Sequence, residues 1–226
     1  MTLHSEPPTP PPALGAAAAG YLAAAYFTGM AYFLLAIDYP GASDPLDKIA
    51  LFTRHLRGLQ FTYLAIYVVF GVVLVILAWT LHARLRCAAP TTMRVATSLA
   101  IVWAGLLIAG GMATNLGMES VVVLHAVDPA QAATVWLTIE AVISGMTGGN
   151  GELLGGLWTL LVSVAAWRGR AFPMPIIALG LLTGAAGILS AIPGLTALVA
   201  AFGLTQLVWF VALGVALMRT PVARDS

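Results

Sequence analysis

The carboxylate Glu140 is the first candidate for chemistry, because it interrupts an apolar stretch in a chain with only 8% charged residues. An ionisable side chain at membrane depth is a candidate functional group, since its burial is costly unless it is paired. We predict that Glu140 pairs with Arg54 or Arg57 and closes a polar pocket at the outer face. Further pocket candidates share a polar side chain near that face: Glu119, Asn150 and Glu152. A purely structural ion pair is the alternative interpretation.

A metal site is a second hypothesis. His55, His125 and Glu119 combine imidazole and carboxylate groups, which suit zinc, copper or iron. The sequence contains no HxxH or HExxH pattern to fix their spacing. The alternative interpretation is that both histidines lie at the membrane surface without a metal.

Several cofactor classes are excluded by residue type. The single lysine, Lys48, lies in a polar connection, so a retinal Schiff base of the usual kind is not expected. The single cysteine, Cys87, excludes an intrachain disulfide and a multi-cysteine metal site. No histidine pair is placed to hold haem across a bundle. The run from Gly148 to Gly151 lacks the lysine and hydroxyl of a phosphate loop, so it predicts a turn. We therefore predict no cofactor, and a non-catalytic role is favoured over an enzyme.

The composition predicts a helical membrane protein. The 226 residues are 60% hydrophobic, and the mean hydropathy is +0.95. A soluble domain carries about a quarter charged residues, and about 20 apolar residues cross a bilayer as a helix. The net charge of +1 suggests no nucleic-acid partner. Expected partners are the lipid bilayer and either another membrane protein or further copies of this chain.

The predicted fold is an all-α bundle of six transmembrane helices plus one interfacial or re-entrant helix. Residues 14–219 are expected to form a single domain between a disordered Pro-rich tail (residues 1–13) and a short tail (residues 220–226). Residues Pro45 to Leu59 are predicted to lie on the membrane as a short helix. The six predicted spans are Leu14–Ile37, Leu59–His82, Val95–Leu116, Gly151–Trp167, Pro175–Ile192 and Leu195–Met218.

The stretch from Gln131 to Trp167 decides the topology. Pro129 suits the first turn of a helix that ends near Met146. After the glycine cluster, Asn150 is predicted to cap a new helix that carries Glu152 in its first turn. The first of these two helices is the less apolar one, so it is the candidate for the interfacial or re-entrant element.

Two topologies remain open on charge alone. Six spans with both termini inside, or seven with the N-terminus outside, each place seven basic residues in the cytoplasm and three outside. Six spans are favoured because Glu140 would cost about 2.5–3.5 kcal/mol at the centre of a span. The arginine pair at Arg84 and Arg86, reinforced by Arg94, also marks a cytoplasmic loop. The protein is therefore expected in a bacterial cytoplasmic membrane.

The second half of the chain resembles uncharacterised bacterial integral-membrane proteins of unknown function. The shared features are the Gly-Asn-Gly turn at 149–151, a span containing Trp158, Arg168 with Arg170, and a glycine-rich span. The resemblance implies a six-span fold and no particular activity.

Three functions are compatible with these observations. The favoured one is a non-catalytic accessory or interaction subunit of a larger membrane assembly, since small-residue faces suit helix packing and no catalytic pattern is present. The second is a small-molecule transporter or receptor with a polar pocket at the outer face, although no second copy of the broken segment is evident. The third is a metal-dependent redox or lipid-modifying enzyme at His55, His125 and Glu119.

Overall fold

The computed structural model describes residues 11–148 and 152–219. The regular elements in these ranges are all helical. The predicted tails, apart from residues 11–13, and the Gly-Asn-Gly turn lie outside the described residues. The α-helices are α1 (Pro12–Ala31), α2 (Pro45–Tyr63), α3 (Phe70–Leu85), α4 (Pro90–His125), α5 (Pro129–Thr147), α6 (Leu153–Gly169), α7 (Met174–Ser190) and α8 (Leu198–Arg219). A π-helical turn extends α1 (Tyr32–Ala36), and a short 3-10 turn lies between it and α2 (Tyr39–Gly41). A second π-helical turn joins α2 to α3 (Leu64–Val69).

The chain is a membrane-spanning helical protein. By length and composition, four helical runs in the described ranges suit a bilayer: Pro12–Ala36, Pro45–Leu85, Pro90–His125 and Leu198–Arg219. Helices α6 and α7 are shorter apolar helices. These six apolar elements overlap the six predicted spans, but only four of them are long enough to qualify as spans by themselves. Helix α5 is neither among these four runs nor among the shorter apolar helices.

The helix predicted from Pro45 to Leu59 begins at Pro45 but does not end at Leu59. Instead, α2 continues through the π-helical turn into α3 as one run of 41 residues, with a kink at His55 (φ −124°, ψ 17°). The physical reason is that α4 extends to His125, well beyond the predicted end at Leu116. Its last turns therefore give the apolar face of α2 a protein partner, which replaces the expected lipid.

Two separate apolar cores follow from this arrangement. One lies within the bundle formed by α1, α3, the first half of α4, α6, α7 and α8, and interlocking aromatic rings such as Trp158, Trp209 and Phe210 fill it. The other lies in a region that we call the cap, defined as residues 32–63 and 111–147. The buried residues of the cap core are Ile37, Ile49, Phe52, Leu59, Met118, Val121, Ala132 and Trp136.

Helices α5 and α6 run in the same direction, one after the other, antiparallel to α4. Residues further along α5 and α6 contact residues progressively earlier in α4. Each of these contacts pairs a glycine with a residue that a Cβ added to the glycine would touch. From the cap downward these pairs are Gly117 with Trp136 and Ile139, Gly110 with Thr147, and Gly155 with Trp103. At the far end, Gly169 meets Ala88 in the connection before α4. Helices α5 and α6 therefore do not pair with each other as a helical hairpin.

The glycine face predicted on α7 packs directly against α6. A Cβ at Gly156 would lie 2.6 Å from the backbone nitrogen of Ile188 and 2.9 Å from the carbonyl oxygen of Gly184. Such close backbone approach is possible only for residues without a side chain. The contact fixes the start of α6, and with it the position of Glu152.

The charged residues separate to opposite ends of the molecule. Helices α3 and α6 end at the same end at which α4 begins, and there the Arg168 guanidinium donates to Thr92 Oγ1 (3.3 Å). Nearby, the Arg84 guanidinium lies 5.3 Å from the ring centre of Phe172. The opposite end holds the first turns of α2 and α5, which are capped by Asp44 and Asp128.

Candidate functional site

An ion pair joins α2 to α5 in the cap. Lys48 Nζ lies 2.7 Å from both carboxylate oxygens of Glu140, and the hydroxyl of Tyr39 donates to Glu140 Oε1 (2.9 Å). The two charged side chains are only 18% and 25% exposed. The predicted pairing of Glu140 with Arg54 or Arg57 is therefore wrong, because Lys48 occupies that role.

Helical spacing explains why Lys48 is the cation that pairs with Glu140. Lys48 precedes Phe52 by four residues and Trp136 precedes Glu140 by four, so each pair lies on one helix face. The rings of Phe52 and Trp136 pack with centres 4.5 Å apart, which brings the two faces together. Arg54 is exposed instead, away from that face.

Tyr39 completes this cluster as a hydrogen-bond donor. Burial raises the pKa of the Tyr39 hydroxyl above its usual value of 10, and the neighbouring Tyr63 and Glu140 raise it further. The hydroxyl therefore keeps its proton and donates a hydrogen bond to the carboxylate. Lys48 also lies 5.3 Å from the centre of the Tyr39 ring, so the ammonium gains a cation–π contact in addition to its salt bridge.

The remaining predicted pocket residues do not gather around Glu140. Arg57 and Glu119 are exposed, and Arg57 Nη1 makes only a long contact with Gln60 Oε1 (3.4 Å). Asn150 lies outside the described residues. Glu152 belongs to a different site, a cavity at the break between α5 and α6.

The structure does not support the metal site predicted at His55, His125 and Glu119. Within residues 11–148 and 152–219, no group of three or more histidine, cysteine or acidic side chains is placed to hold a metal ion. His55 is exposed at the kink of α2. His125 is half-buried, and its Nδ1 has no hydrogen-bond partner.

A cavity of about 250 Å³ lies between the bundle and the cap. Its walls come from α1, both π-helical turns, the first residue of α3, α4, the last residue of α5 and the residue before α6. The aromatic residues that line it are Tyr26, Phe33, Tyr67, Phe70 and Trp103. Its polar lining includes Thr147 and the carboxyl group of Glu152. The described lining residues include no lysine, arginine or histidine, so this carboxyl group has no cationic partner within the cavity wall.

A backbone hydrogen bond joins Glu152 to α7. Its N–H donates to Ser190 Oγ on α7 (2.9 Å), whose hydroxyl donates to the Gly187 carbonyl oxygen (2.6 Å). Glu152 is the N-cap residue of α6, but its side chain makes no capping hydrogen bond. The prediction that it lies inside the first turn was therefore wrong by one position, because α6 begins at Leu153.

Burial controls the protonation of this carboxyl group. Glu152 lies in the connection before α6, and burial raises its pKa from 4.5 to about 8. A carboxylate removed from water without a cation or hydrogen-bond donors is unfavourable, so the neutral form is preferred. Near pH 7 the empty cavity therefore holds mostly a neutral carboxylic acid.

Both π-helical turns contribute residues to the wall of the cavity. Phe33 belongs to the turn after α1, whereas Ile66 and Tyr67 belong to the turn between α2 and α3. A Cβ at Gly29 would lie 3.3 Å from Ile66 Cδ1, so the two helices approach closely there. π-Helical turns are rare and frequently occur at functional sites.

A column of aromatic rings connects the cavity with the ion pair of the cap. The ring centres of Tyr39 and Phe33 are 5.7 Å apart, those of Phe33 and Tyr63 are 5.5 Å apart, and Tyr63 stacks on Tyr67 at 5.3 Å. On the opposite side, the Trp103 ring contacts Trp158 with centres 6.0 Å apart. The cavity is thus bounded by rings toward both ends of the molecule.

Sequence reasoning identified Glu152 but missed the aromatic wall. Tyr26, Phe70 and Trp103 occur in apolar spans, where the same residue types also face lipid or fill a core, so their pattern does not mark a site. The glycine break beside Glu152 was the one usable signal. Comparisons of the chain with protein-family models, with curated proteins and with solved structures find no significant match. The resemblance to bacterial six-span proteins therefore stays a prediction.

Proposed function

We propose that this protein binds a small molecule in the cavity beside Glu152 and acts as a membrane receptor or transporter. The observation that supports this function is an aromatic cavity between the end of α5 and the start of α6, whose described lining holds one carboxyl group and no cationic side chain. Ligand sites are typically concave and mostly apolar, with a few polar groups that orient the ligand. Broken helices also form the binding sites of many transporters.

We infer a topology of six crossings with both termini in the cytoplasm. The parallel course of α5 and α6 along α4 supports one crossing for this segment, since two crossings need a reversal of direction. Helix α4 has 36 residues and is about 54 Å long, whereas the apolar layer of a bilayer is about 30 Å thick. With the arginine end at the cytoplasmic surface, the cap projects on the outer side of a bacterial cytoplasmic membrane. The cavity then lies near the outer surface.

A cavity-filling variant tests the binding function. Ala25 lines the cavity and is 7% exposed, whereas its neighbour Ala24 is exposed on the outside of α1. The purified protein is screened by thermal denaturation against cationic, neutral and anionic small molecules. A bound ligand at 100 times its Kd stabilises by about 2.7 kcal/mol.

The proposal expects at least one compound to raise the melting temperature of the wild type and of Ala24→Leu. The same compound should have no effect on Ala25→Leu. A screen in which no compound class stabilises the wild type contradicts the proposal. So does a ligand whose effect survives in Ala25→Leu.

The accessory-subunit function is a second candidate, favoured by apolar side chains on the surface of the cap. Leu35 and Val127 are both 84% exposed, and Val123 is 67% exposed. In the six-span arrangement Val123 and Val127 lie beyond the third predicted span, outside the lipid, where exposed apolar patches usually mark interaction surfaces. Purification from native membranes should then recover a stable partner. A monomer or homodimer without a partner would count against this function.

A further inference from the structure

We propose that the ligand of this cavity is a small organic cation and that the Glu152 carboxylate is its counter-ion. This inference rests on the proposed binding function and adds the chemical class of the ligand. The first argument is charge. The described lining of the cavity contains one carboxyl group and no cationic side chain. Burying an ionised carboxylate is costly unless it is paired, and a cationic ligand supplies the missing partner.

The aromatic wall is the second argument. Rings from α1, both π-helical turns, α3 and α4 surround the cavity, and the negative face of a ring attracts a cation that carries little water. Organic ammonium groups have this property, and their alkyl groups also match the apolar surface. A divalent metal ion needs about six oxygen ligands, which this lining does not offer. An anion would find no cationic side chain in the described lining of the cavity.

The size of the cavity limits the ligand. Its volume of about 250 Å³ is below the range of roughly 300–1,000 Å³ that is typical of pockets for drug-sized molecules. A ligand that fills this volume is an ammonium compound with few carbon atoms. Its charged group lies beside Glu152, and its alkyl groups face rings such as Phe33 and Trp103.

Binding of the cation is coupled to the release of a proton from Glu152. The empty site holds the neutral acid, whereas the bound site holds the carboxylate, so each cation that enters displaces one proton from Glu152 to the solvent. The other titratable groups that line the cavity are the hydroxyls of Tyr26 on α1 and Tyr67 on the π-helical turn before α3. Helices α4, α5 and α7 contribute Trp103, Thr147 and Ser190 to the surroundings of Glu152, and these residues do not titrate. The nearby charges of the cap, Lys48 and Glu140, are already paired with each other.

Choline and its neutral carbon isostere, 3,3-dimethyl-1-butanol, test the inference. The two probes have the same shape and differ in charge, and choline does not titrate. Binding to the full chain in lipid nanodiscs is measured by calorimetry for the wild type, Glu152→Gln and Glu152→Asp. Glu119→Gln is the matched control, because it removes one carboxylate from the exposed surface of α4.

The wild type should bind choline at least about tenfold more tightly than the neutral isostere, which corresponds to about 1.4 kcal/mol. Glu119→Gln and Glu152→Asp should keep this preference, whereas Glu152→Gln should reduce it to about twofold or less. The choline affinity of the wild type should also rise about tenfold from pH 6 to pH 7, since the proton competes for the same carboxylate. The affinity for the neutral isostere should not change with pH.

Each contrary outcome identifies the step that fails. Equal affinity for the two probes, or a choline preference that persists in Glu152→Gln, overturns the cation assignment. The binding function itself survives if Ala25→Leu abolishes the binding that remains. A wild type that binds neither probe, while other compounds bind in a manner sensitive to Ala25→Leu, also overturns only the cation assignment. If Glu152→Gln does not fold, a choline affinity of the wild type that is independent of pH is sufficient to overturn the inference.

Discussion

The carboxyl group of Glu152 lies directly against the backbone of Gly148. A Cβ built on Gly148 would be 2.5 Å from Glu152 Oε2, and Gly148 has a φ of +100°. An L-residue with a side chain is strained in this conformation, and its Cβ would displace the carboxyl group. The end of α5 and the position of the acid in the cavity therefore depend on the same glycine.

Replacing this glycine should be costly. We expect Gly148→Ala to lower the free energy of unfolding by about 1–3 kcal/mol, from backbone strain and from the displaced carboxyl group. Gly145→Ala is the control, because Gly145 lies inside α5 with no atom within 4 Å of an added Cβ. Alanine favours the helix there by about 0.5–1 kcal/mol. Thermal denaturation compares the two variants, and equal stability would contradict the close contact.

The Lys48–Glu140 pair should stabilise the cap. Because the pair is mostly buried, we expect Lys48→Met to destabilise the protein by about 1–3 kcal/mol, chiefly by leaving the Glu140 carboxylate unpaired. Arg54→Met, at an exposed position of the same helix, should change stability by less than about 0.5 kcal/mol.

A double-mutant cycle separates this pair from other effects of the substitutions. Adding Glu140→Gln to Lys48→Met should restore part of the lost stability, since the unpaired charge is then absent. Purely additive effects of the two substitutions in denaturation experiments would show that the ion pair does not stabilise the cap.

Stability should depend on pH through Glu152. Its pKa is about 8 in the folded protein, compared with 4.5 for the free side chain. The folded state therefore retains the proton more strongly than the unfolded state. The stabilisation of the folded state by this proton is fully present below about pH 4.5 and is lost as the pH rises toward 8.

Between pH 5 and pH 7.5 the change should be about 1.4 kcal/mol per pH unit, or roughly 3–5 °C in melting temperature. In Glu152→Gln the pH dependence of stability that Glu152 causes should disappear, while the pH dependence that other titratable groups cause should remain. Identical pH profiles for the wild type and Glu152→Gln would contradict the neutral state of the buried acid.

The single cysteine offers a direct test of the topology. Cys87 is exposed between α3 and α4, at the arginine end of the bundle. In the six-span arrangement it faces the cytoplasm, so a membrane-impermeant thiol reagent should label it only after the cells are opened. Seven crossings place the same loop outside. Labelling of Cys87 on intact cells would therefore overturn the proposed arrangement.

The sequence was most informative where a local signal decides the structure. Pro129 and Gly148 bound α5 close to the predicted ends, since proline suits the first turn of a helix and glycine tolerates a positive φ after the last. By contrast, nothing local reveals that α2 continues into α3. Its charged residues resemble a surface helix, and the partner that covers its apolar face is the distant end of α4.

The same limit applies to the candidate site. Which cation reaches Glu140 depends on how Phe52 packs on Trp136, and that contact is a property of the assembled cap. The aromatic wall around Glu152 likewise combines residues from separate helices. Glu152 was predicted only as one of several polar residues near the outer face, in the pocket proposed around Glu140.

Proton release on ligand binding tests the central claim most directly. Choline is added to the wild type in weakly buffered solution near pH 7, and the protons released per bound choline are counted with a pH indicator. We predict close to one proton for the wild type and none for Glu152→Gln. Binding of choline to the wild type without release of a proton would contradict the account.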